Sequence, residues 1–289
     1  MHKRFWTTLL ITILIASTSS ALEDRGTWVH TGDHDFEGAL KKDGVAITAT
    51  AAEINQLDGS PSVTDPAVLF SFYDEFLSIY TNDGASPVYA LVQDEIGGTV
   101  GATKGGVMDI ITGSTDNDEY TLQAGPKGTE GPFDMESASG ETLNFKAQVA
   151  SIHKFQSSMF VGMAEPGQGA DFLQDNTGTN GDVDVVGFIL TAQDTNYWSF
   201  VHQKAGAAIV IRDNVLTNTP GTAVTFGFDF DGKSGLVYTA DSVALGTITN
   251  TSVVTFPDGE GMHLIFGSKT GSGIAASNSL YYWHCQQTK

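Results

Sequence analysis

Short runs in which apolar and polar residues alternate are the feature of this sequence that most restricts its fold. Leu143–Val149 places leucine, phenylalanine, alanine and valine at every second position, with polar residues between them. Val224–Phe230 repeats the pattern with valine and three phenylalanines. Because successive side chains of a strand point to opposite faces of a sheet, this period predicts strands with one face in a core and one face in water.

Similar runs follow one another from Ala67 to the end of the chain, separated by glycine-rich turns and with almost no helical periodicity. We expect further strands at Val107–Thr112, Tyr120–Gln123, Met159–Ala164, Val183–Leu190, Trp198–Gln203, Ala208–Arg212, Leu236–Thr239, His263–Gly267 and Leu280–Cys285. With 40% hydrophobic and 10% aromatic residues, the chain can fill a sizeable core. The sequence therefore predicts an all-β protein built from two packed antiparallel sheets.

The charge of the chain argues against nucleic acid as a partner, and its single cysteine excludes an internal disulfide. The formal net charge is −20, from 34 Asp and Glu against 14 Lys and Arg. Such a field repels phosphate backbones, so nucleic acid is not expected as a partner. Solubility explains the acidic excess, and a face that collects divalent cations is the alternative. Cys285 is the only cysteine, so no disulfide can form within the chain, and its aromatic surroundings predict a buried, unreactive thiol.

The first 21 residues have the pattern of a secretory signal peptide. His2–Arg4 is positively charged, Phe5–Ala16 is mostly apolar, and Ser19–Ala21 supplies small residues at the cleavage position. The apolar run is shorter, and richer in threonine, than a membrane span of about 20 residues. We expect the leader to be cleaved, and an uncleaved membrane anchor is the alternative.

Residues 22–66 are predicted to form an attachment or oligomerisation segment that ends in a hinge. Val45–Thr48 alternates weakly like a strand. A short helix is expected to follow, because Thr50 and Glu53 have capping-box spacing and precede Ile54 and Leu57. So short a helix needs a neighbour to cover its apolar side, which another copy of the chain could supply. Ser60–Pro66 contains two prolines and separates this segment from the domain of residues 67–289.

One passage of this segment has a specific resemblance. Val45–Gly59 reads VAITATAAEINQLDG. It resembles the TATAAE(I/L)N-x-LDG element that recurs near the starts of tailed-phage structural proteins, including fibres and head-surface proteins. The match is dense although the stretch is short. The resemblance implies a virion protein in which this segment helps to attach or oligomerise the chain.

A second, more diffuse resemblance covers roughly Phe70–Cys285. The stretches that carry it are Asp74–Leu77, Thr115–Tyr120, Asn144–Val149, Phe160–Met163, Val186–Phe188 and Leu280–Trp283. Together they are similar to the concanavalin A-like (LamG-like) jelly-roll domains of phage virion proteins. The resemblance implies a concanavalin A-like jelly-roll sandwich of two antiparallel sheets, and it indicates the fold better than any function.

No set of residues fits a catalytic site. Jelly-roll glycosidases of the retaining type need two carboxylates about 5–5.5 Å apart, carried on one strand. The nearest run here is Glu130–Glu136, which contains Asp134, but Gly131 and Pro132 interrupt it. Motifs of serine hydrolases, phosphate loops and paired cysteines do not occur in the sequence. We predict no catalytic residues and no enzymatic activity.

Three acidic or histidine-containing clusters are candidates for metal binding. Hard oxygen ligands at high density suit Ca²⁺, and one loop supplies Asp171, Asp175, Asn180, Asp182 and Asp184. The alternative is a solvated turn, because Asp and Asn favour turns through their own hydrogen bonds. Asp116–Glu119 has the same two interpretations, and His30 with His34 could hold a transition metal or lie in an exposed linking segment. No cofactor is required by these patterns, and Ca²⁺ is the ion that the first loop could hold.

Aromatic residues offer a candidate ligand site. Tyr197 with Trp198, and the run Tyr281–Trp283, could stack against sugar rings. Packing in the core is the alternative, because large aromatic side chains dominate sandwich interiors.

Two functional hypotheses follow. The first is a non-enzymatic virion structural protein displayed on the particle surface, as a capsid decoration or a fibre-like element that adheres to host or glycan. It predicts assembly with further copies of the chain, as a trimer, and with other virion proteins. The alternative is a secreted, extracellular carbohydrate-binding adhesin with a LamG-like domain. Membrane contact is expected only through the leader, if the leader is retained.

Overall fold

The computed structural model describes residues 29–31, 33–35, 41–42, 45–46, 68–76, 89–93, 98–103, 106–125, 130–137, 139–152, 157–166, 172–174, 178–179, 183–251, 254–257, 260–271 and 273–288. The chain divides into two compact units, Met1–Asp65 and Pro66–Lys289.

In the first unit, short strands form two antiparallel pairs. The pairs are β1 (Val29–Thr31) with β2 (Asp33–Asp35), and β3 (Lys41–Lys42) with β4 (Val45–Ala46). The strand β4 covers the first part of the strand predicted at Val45–Thr48. The leader 1–21 and the helix predicted through Thr50, Glu53, Ile54 and Leu57 lie outside the described residues.

The second unit consists of strands, and its described residues contain no helix. In chain order the strands are β5 (Val68–Asp74), β6 (Tyr89–Gln93), β7 (Thr99–Ala102), β8 (Met108–Ile111), β9 (Glu119–Ala124), β10 (Thr142–Ser151), β11 (Ser157–Ala164), β12 (Leu173–Gln174), β13 (Gly178–Thr179), β14 (Val185–Leu190), β15 (Tyr197–Gln203), β16 (Val210–Thr217), β17 (Val224–Phe230), β18 (Leu236–Ala240), β19 (Val243–Ile248), β20 (His263–Thr270) and β21 (Ser277–Thr288). Within the part of the chain described here, no helix is long and apolar enough to cross a membrane.

The strands form two large antiparallel sheets and one small hairpin. The eight-stranded sheet has the order β19-β18-β17-β10-β21-β8-β7, and β5 pairs with the end of β21 that β8 leaves free. The seven-stranded sheet has the order β16-β15-β14-β11-β20-β9-β6. The strands β12 and β13 form a separate two-stranded antiparallel pair. Neighbouring strands come from distant parts of the chain, as in a jelly roll, and the predicted all-β sandwich is confirmed.

Side chains that point between the two sheets form the main hydrophobic core. On β10 the alternate residues Leu143, Phe145, Ala147 and Val149 are buried, and the polar residues between them face outward, as the sequence predicts. Aromatic rings join the sheets across the gap. The ring of Phe188 stacks on that of Phe226, with the ring centroids 4.3 Å apart. The period-two pattern of the sequence therefore corresponds to the interior of the sandwich.

Four strands of the two sheets carry no clear signal in the sequence, namely β5, β6, β7 and β19. The strands β6, β7 and β19 lie at sheet edges. The residues of β7 and nearly all those of β19 are exposed or half-buried, and both strands contain glycine and alanine. An edge strand with small side chains buries little apolar surface, so its pattern of alternation is weak.

Cys285 lies fully buried in the core, with its Sγ atom 4.0 Å from Sδ of Met163. Burial raises the pKa of the thiol well above its ordinary value. The predicted burial of this residue is confirmed, and the raised pKa keeps the sulfur in its unreactive thiol form.

Replacing Phe226 by alanine tests the stacking between the sheets. The change removes a fully buried ring, and we expect the free energy of unfolding to fall by about 3–5 kcal/mol. The control is Val243→Ala at a side chain that is 64% exposed, which should change stability by at most about 0.5 kcal/mol. Urea denaturation measures both, and equal losses would contradict the described packing.

The stability of the sandwich should also depend on pH through His202. Burial lowers the pKa of this imidazole below 6.5, and its Nδ1 lies 3.2 Å from the carbonyl oxygen of Thr255. In the unfolded chain the imidazole takes up a proton near pH 6.5, but in the folded chain only at lower pH. The unfolded state therefore binds more protons in this window, so the free energy of unfolding should fall as pH drops below about 6.5.

Replacing the titrating ring by a side chain without charge tests this dependence. We expect His202→Gln to show a smaller fall in thermal unfolding temperature between pH 7 and pH 5.5 than the unmodified chain. Part of the fall should remain, because burial lowers the pKa of His284 as well. An unchanged slope would show that His202 is not the group responsible.

Candidate functional site

Four strands of the seven-stranded sheet, β9, β11, β14 and β20, are buried on both of their faces. The face turned away from the eight-stranded sheet, here called the outer face, carries a second hydrophobic cluster. Its buried members are Phe160, Ala164, Phe172, Leu173, Val183, Val185, Ile189, Val201 and Ile265. Antiparallel sheets commonly leave one face in water, so a covered outer face needs a specific cause.

The centre of this cluster is a phenylalanine ring that lies on two glycines. Gly162 of β11 and Gly187 of β14 are directly paired across the sheet. A Cβ atom at Gly162 would lie 2.9 Å from Cζ of Phe160, and a Cβ atom at Gly187 would lie 2.8 Å from the same carbon. Only residues without a side chain leave room for this ring, which packs edge-on against Phe172 at 5.2 Å.

The β12–β13 hairpin crosses the outer face and is anchored on both sides. On one side, the backbone N–H of Leu173 donates to the Glu119 carboxylate at 3.1 and 3.2 Å. The Lys269 ammonium donates to the carbonyl oxygen of Leu173 at 2.8 Å. On the other side, the Thr179 hydroxyl donates to Oε1 of Gln203 at 3.3 Å. The hairpin therefore spans the face from β9 and β20 to β15.

Three residues of β9 lie on the outer face of the sheet, namely Glu119, Thr121 and Gln123. They are at most 1% exposed. Only the first carries a carboxyl group, and the oppositely charged Lys269 is its direct cross-strand partner. Retaining glycoside hydrolysis needs two carboxylates on either side of a substrate. The row offers one carboxylate, which already holds the backbone of the hairpin.

The acidic run Glu130–Glu136 has a structural role in packing and in fastening the chain to β21. Phe133 and Met135 point into the core, and the N–H of Asp134 donates to Oε1 of Gln287 at 3.1 Å. Glu130 and Glu136 are exposed. The apolar side chains of the run thus point inward, and its backbone at Asp134 fastens the chain to Gln287 near the end of β21.

The predicted calcium loop is described only in part. Asp171, Asp175, Asn180 and Asp182 lie outside the described residues. Asp184 is fully buried, and its Oδ1 accepts a hydrogen bond from the N–H of Ala205 at 2.6 Å. Among the side chains that the structure describes, no three His, Cys, Asp or Glu residues come together as a metal site. Calcium binding by this loop stays a prediction.

The residues of the second acidic cluster, Asp116–Glu119, differ in exposure and in the groups that they contact. Asp116 and Asn117 are exposed. Asp118 is buried, and its Oδ2 accepts a hydrogen bond from the N–H of Thr115 at 3.1 Å. Glu119 belongs to the outer face, as described above. The histidines of the third cluster, His30 and His34, are at paired positions of β1 and β2.

The two residues of the predicted aromatic site, Tyr197 and Trp198, also differ in exposure. Trp198 is 2% exposed, and its ring packs against Phe226 with centroids 4.8 Å apart. This position agrees with the packing alternative, and a ligand cannot reach the ring. Tyr197 is 40% exposed, and its role in binding stays a prediction. In the other aromatic run, Trp283 is fully buried, whereas Tyr282 is half-buried on the outward side of the eight-stranded sheet.

No protein-family model and no curated protein gives a significant match to the chain. Solved structures do match over most of its length. Peanut lectin with a bound 9-residue peptide has a TM-score of 0.51 at 11% identity, covering 76% of this chain and 97% of the lectin chain. A β-1,3-glucanase from Mycobacterium marinum has a TM-score of 0.50 at 12% identity, covering 74% of this chain and 97% of the glucanase chain. The second unit thus has the concanavalin A-like jelly-roll fold.

Replacing Glu119 by glutamine tests the anchoring of the hairpin. Glutamine can still accept from the N–H of Leu173, but it removes the negative charge opposite the buried Lys269 ammonium. We expect the free energy of unfolding to fall by about 3–5 kcal/mol. Glu130→Gln, at an exposed carboxylate, is the matched control and should have little effect. Equal unfolding midpoints in urea for both variants would contradict the anchoring role.

Proposed function

We propose that this chain is a non-enzymatic, externally displayed adhesive protein whose sandwich binds carbohydrate. The observation that carries the proposal is the filled outer face of the seven-stranded sheet. A hairpin crosses this face and a phenylalanine ring occupies its centre. The outward row of β9 has one carboxylate, which already binds the hairpin, where a retaining glycosidase needs a pair.

The fold itself supports either binding or hydrolysis. Among its structural neighbours, one is a lectin and another is a glucanase. The side chains of this chain favour the first of these functions. Beside Glu119, the other outward positions of β9 hold Thr121 and Gln123, which cannot act as general acid or nucleophile in glycoside hydrolysis. The residues of the chain therefore support binding rather than turnover.

A virion surface protein is the more specific form of the same proposal. Its support is the resemblance of Val45–Gly59 to the element found near the starts of tailed-phage structural proteins. In this form the first unit attaches or oligomerises the chain, as a trimer, and the jelly roll projects from the particle. The secreted adhesin is the second form, and the signal-like leader supports it. Gold-labelled antibody against the jelly roll, viewed on purified particles, distinguishes the two.

Binding without turnover is the expected behaviour of the full chain. On an array of neutral and acidic glycans, the protein should be retained on a subset, and incubation with the retained glycans should release no new reducing ends. A parallel array with chelator tests for Ca²⁺, since loss of binding there would place the ion in the site.

Two results would contradict the proposal. Release of reducing ends that is lost in Glu119→Gln but kept in Glu130→Gln would identify a hydrolase. A chain that is retained on no glycan of the array would remove the adhesive role.

A further inference from the structure

The outward side of the eight-stranded sheet carries one exposed tyrosine and two half-buried aromatic rings. Tyr73 of β5 and His284 of β21 are direct cross-strand partners. Tyr282 lies two residues before His284, on the same side of β21. The ring centroid of Tyr73 is 6.2 Å from that of Tyr282 and 5.9 Å from that of His284. These three residues are called the Tyr73 patch.

The rings of the Tyr73 patch are not part of the core. On the opposite side of the same two strands, Phe72 and Trp283 fill the interior, with their ring centroids 6.4 Å apart. Trp283 is fully buried, whereas Tyr73 is 56% exposed. The sandwich therefore gains its packing from the inner rings. The outer rings are available for contact with a ligand.

Carboxamide side chains border the Tyr73 patch. Gln148 of β10 lies opposite Tyr282, and Gln286 follows His284 on the same side of β21. Asn144 lies opposite Gln286. A carboxamide offers both donors and an acceptor, so these groups match hydroxyls that can donate and accept. An aromatic surface with a polar border suits a ligand that has an apolar face and a polar rim.

The charged side chains that flank the patch are those of Glu75, Asp229 and Lys146. Lys146 lies directly opposite His284, so two carboxylates face one ammonium, and their sum disfavours an anionic ligand. Glu75 accepts a hydrogen bond from the Tyr73 hydroxyl, and this bond is the main cause that raises the pKa of Tyr73 to about 12. Asp229 accepts from the carboxamide of Asn144. Burial and the neighbouring Lys146 lower the pKa of His284, so its ring is neutral at pH 7. With a net charge of −20 for the whole chain, an acidic sugar would be repelled.

We propose that Tyr73, Tyr282 and His284 form a binding platform for uncharged pyranose rings, with Gln148, Gln286 and Asn144 contacting the sugar hydroxyls. The inference rests on the proposed carbohydrate-binding function and assigns it to one face of one sheet. The C–H face of a pyranose stacks on the exposed Tyr73 ring, and the adjoining rings extend the surface toward β21. This face is separate from the outer face of the seven-stranded sheet, which is filled.

Substitutions on the full chain test the platform. The probes are maltohexaose, laminarihexaose, cellohexaose and xylohexaose, with sialyllactose as the anionic comparison, and affinities are measured by calorimetric titration. We expect at least one neutral hexasaccharide to bind and sialyllactose not to bind. Tyr73→Ala and Tyr282→Ala should each weaken binding about tenfold or more, through loss of ring stacking.

Two further variants serve as controls. Tyr73→Phe keeps the ring and removes the hydroxyl that bonds to Glu75, so it should retain most of the affinity. Val254→Ala changes a side chain that is 82% exposed and lies outside the strands of the patch, and it should bind like the unmodified chain. Tyr197→Ala, on the seven-stranded sheet, tests the competing aromatic position. Circular dichroism of each variant establishes that the sandwich has folded.

The outcomes separate this inference from the proposed function. If the unmodified chain binds a hexasaccharide and Tyr73→Ala binds it equally well, the platform is wrong although carbohydrate binding stands. The same conclusion follows if only Tyr197→Ala loses affinity. If the unmodified chain binds none of these probes and no glycan of the array, the proposed function fails and the platform fails with it.

Discussion

The ring of Phe160 lies on the paired glycines Gly162 and Gly187, and the arrangement of the second core depends on this contact. Because neither glycine has a side chain, the ring can lie flat enough on the sheet for Phe172 to pack against it. The chain that carries Phe172 continues into the β12–β13 hairpin, which Glu119 and Lys269 hold through the backbone of Leu173. The outer face of the seven-stranded sheet could have formed an open groove. The hairpin covers it instead, so it forms a hydrophobic interior. That closure is what favours an adhesive role over a hydrolytic one.

Because side chains alternate along a strand, neighbouring residues of the same strand point to opposite faces and have different roles. On β21, Trp283 and Cys285 fill the main core, whereas Tyr282 and His284 face outward beside Tyr73. On β9, Tyr120 packs inward and Glu119 anchors the hairpin on the other side. The Tyr73 patch thus requires no loop of its own, since the strands that build the core also present its rings.

The sequence predicts the sandwich well because its core strands alternate clearly, as at Leu143–Val149 and Val224–Phe230. It does not predict edge strands such as β7 and β19, whose small residues bury little surface. The candidate site is harder to predict, because it depends on which strands become neighbours. Nothing local to Tyr73 indicates that His284 will lie beside it, and the filled outer face requires Glu119, Leu173 and Lys269 to meet. The pattern of alternation could have shown that Tyr282 and Trp283 point to opposite faces.

Amide chemical-shift mapping during titration with a bound neutral hexasaccharide tests the central claim most directly, since it reports on both faces at once. We expect shifts at Tyr73, Tyr282 and His284 and none along β11 and β14, where the second core closes the sheet. Shifts concentrated on β11, β14 and the β12–β13 hairpin would show that the outer face opens to ligand, and they would contradict a binding platform on the eight-stranded sheet.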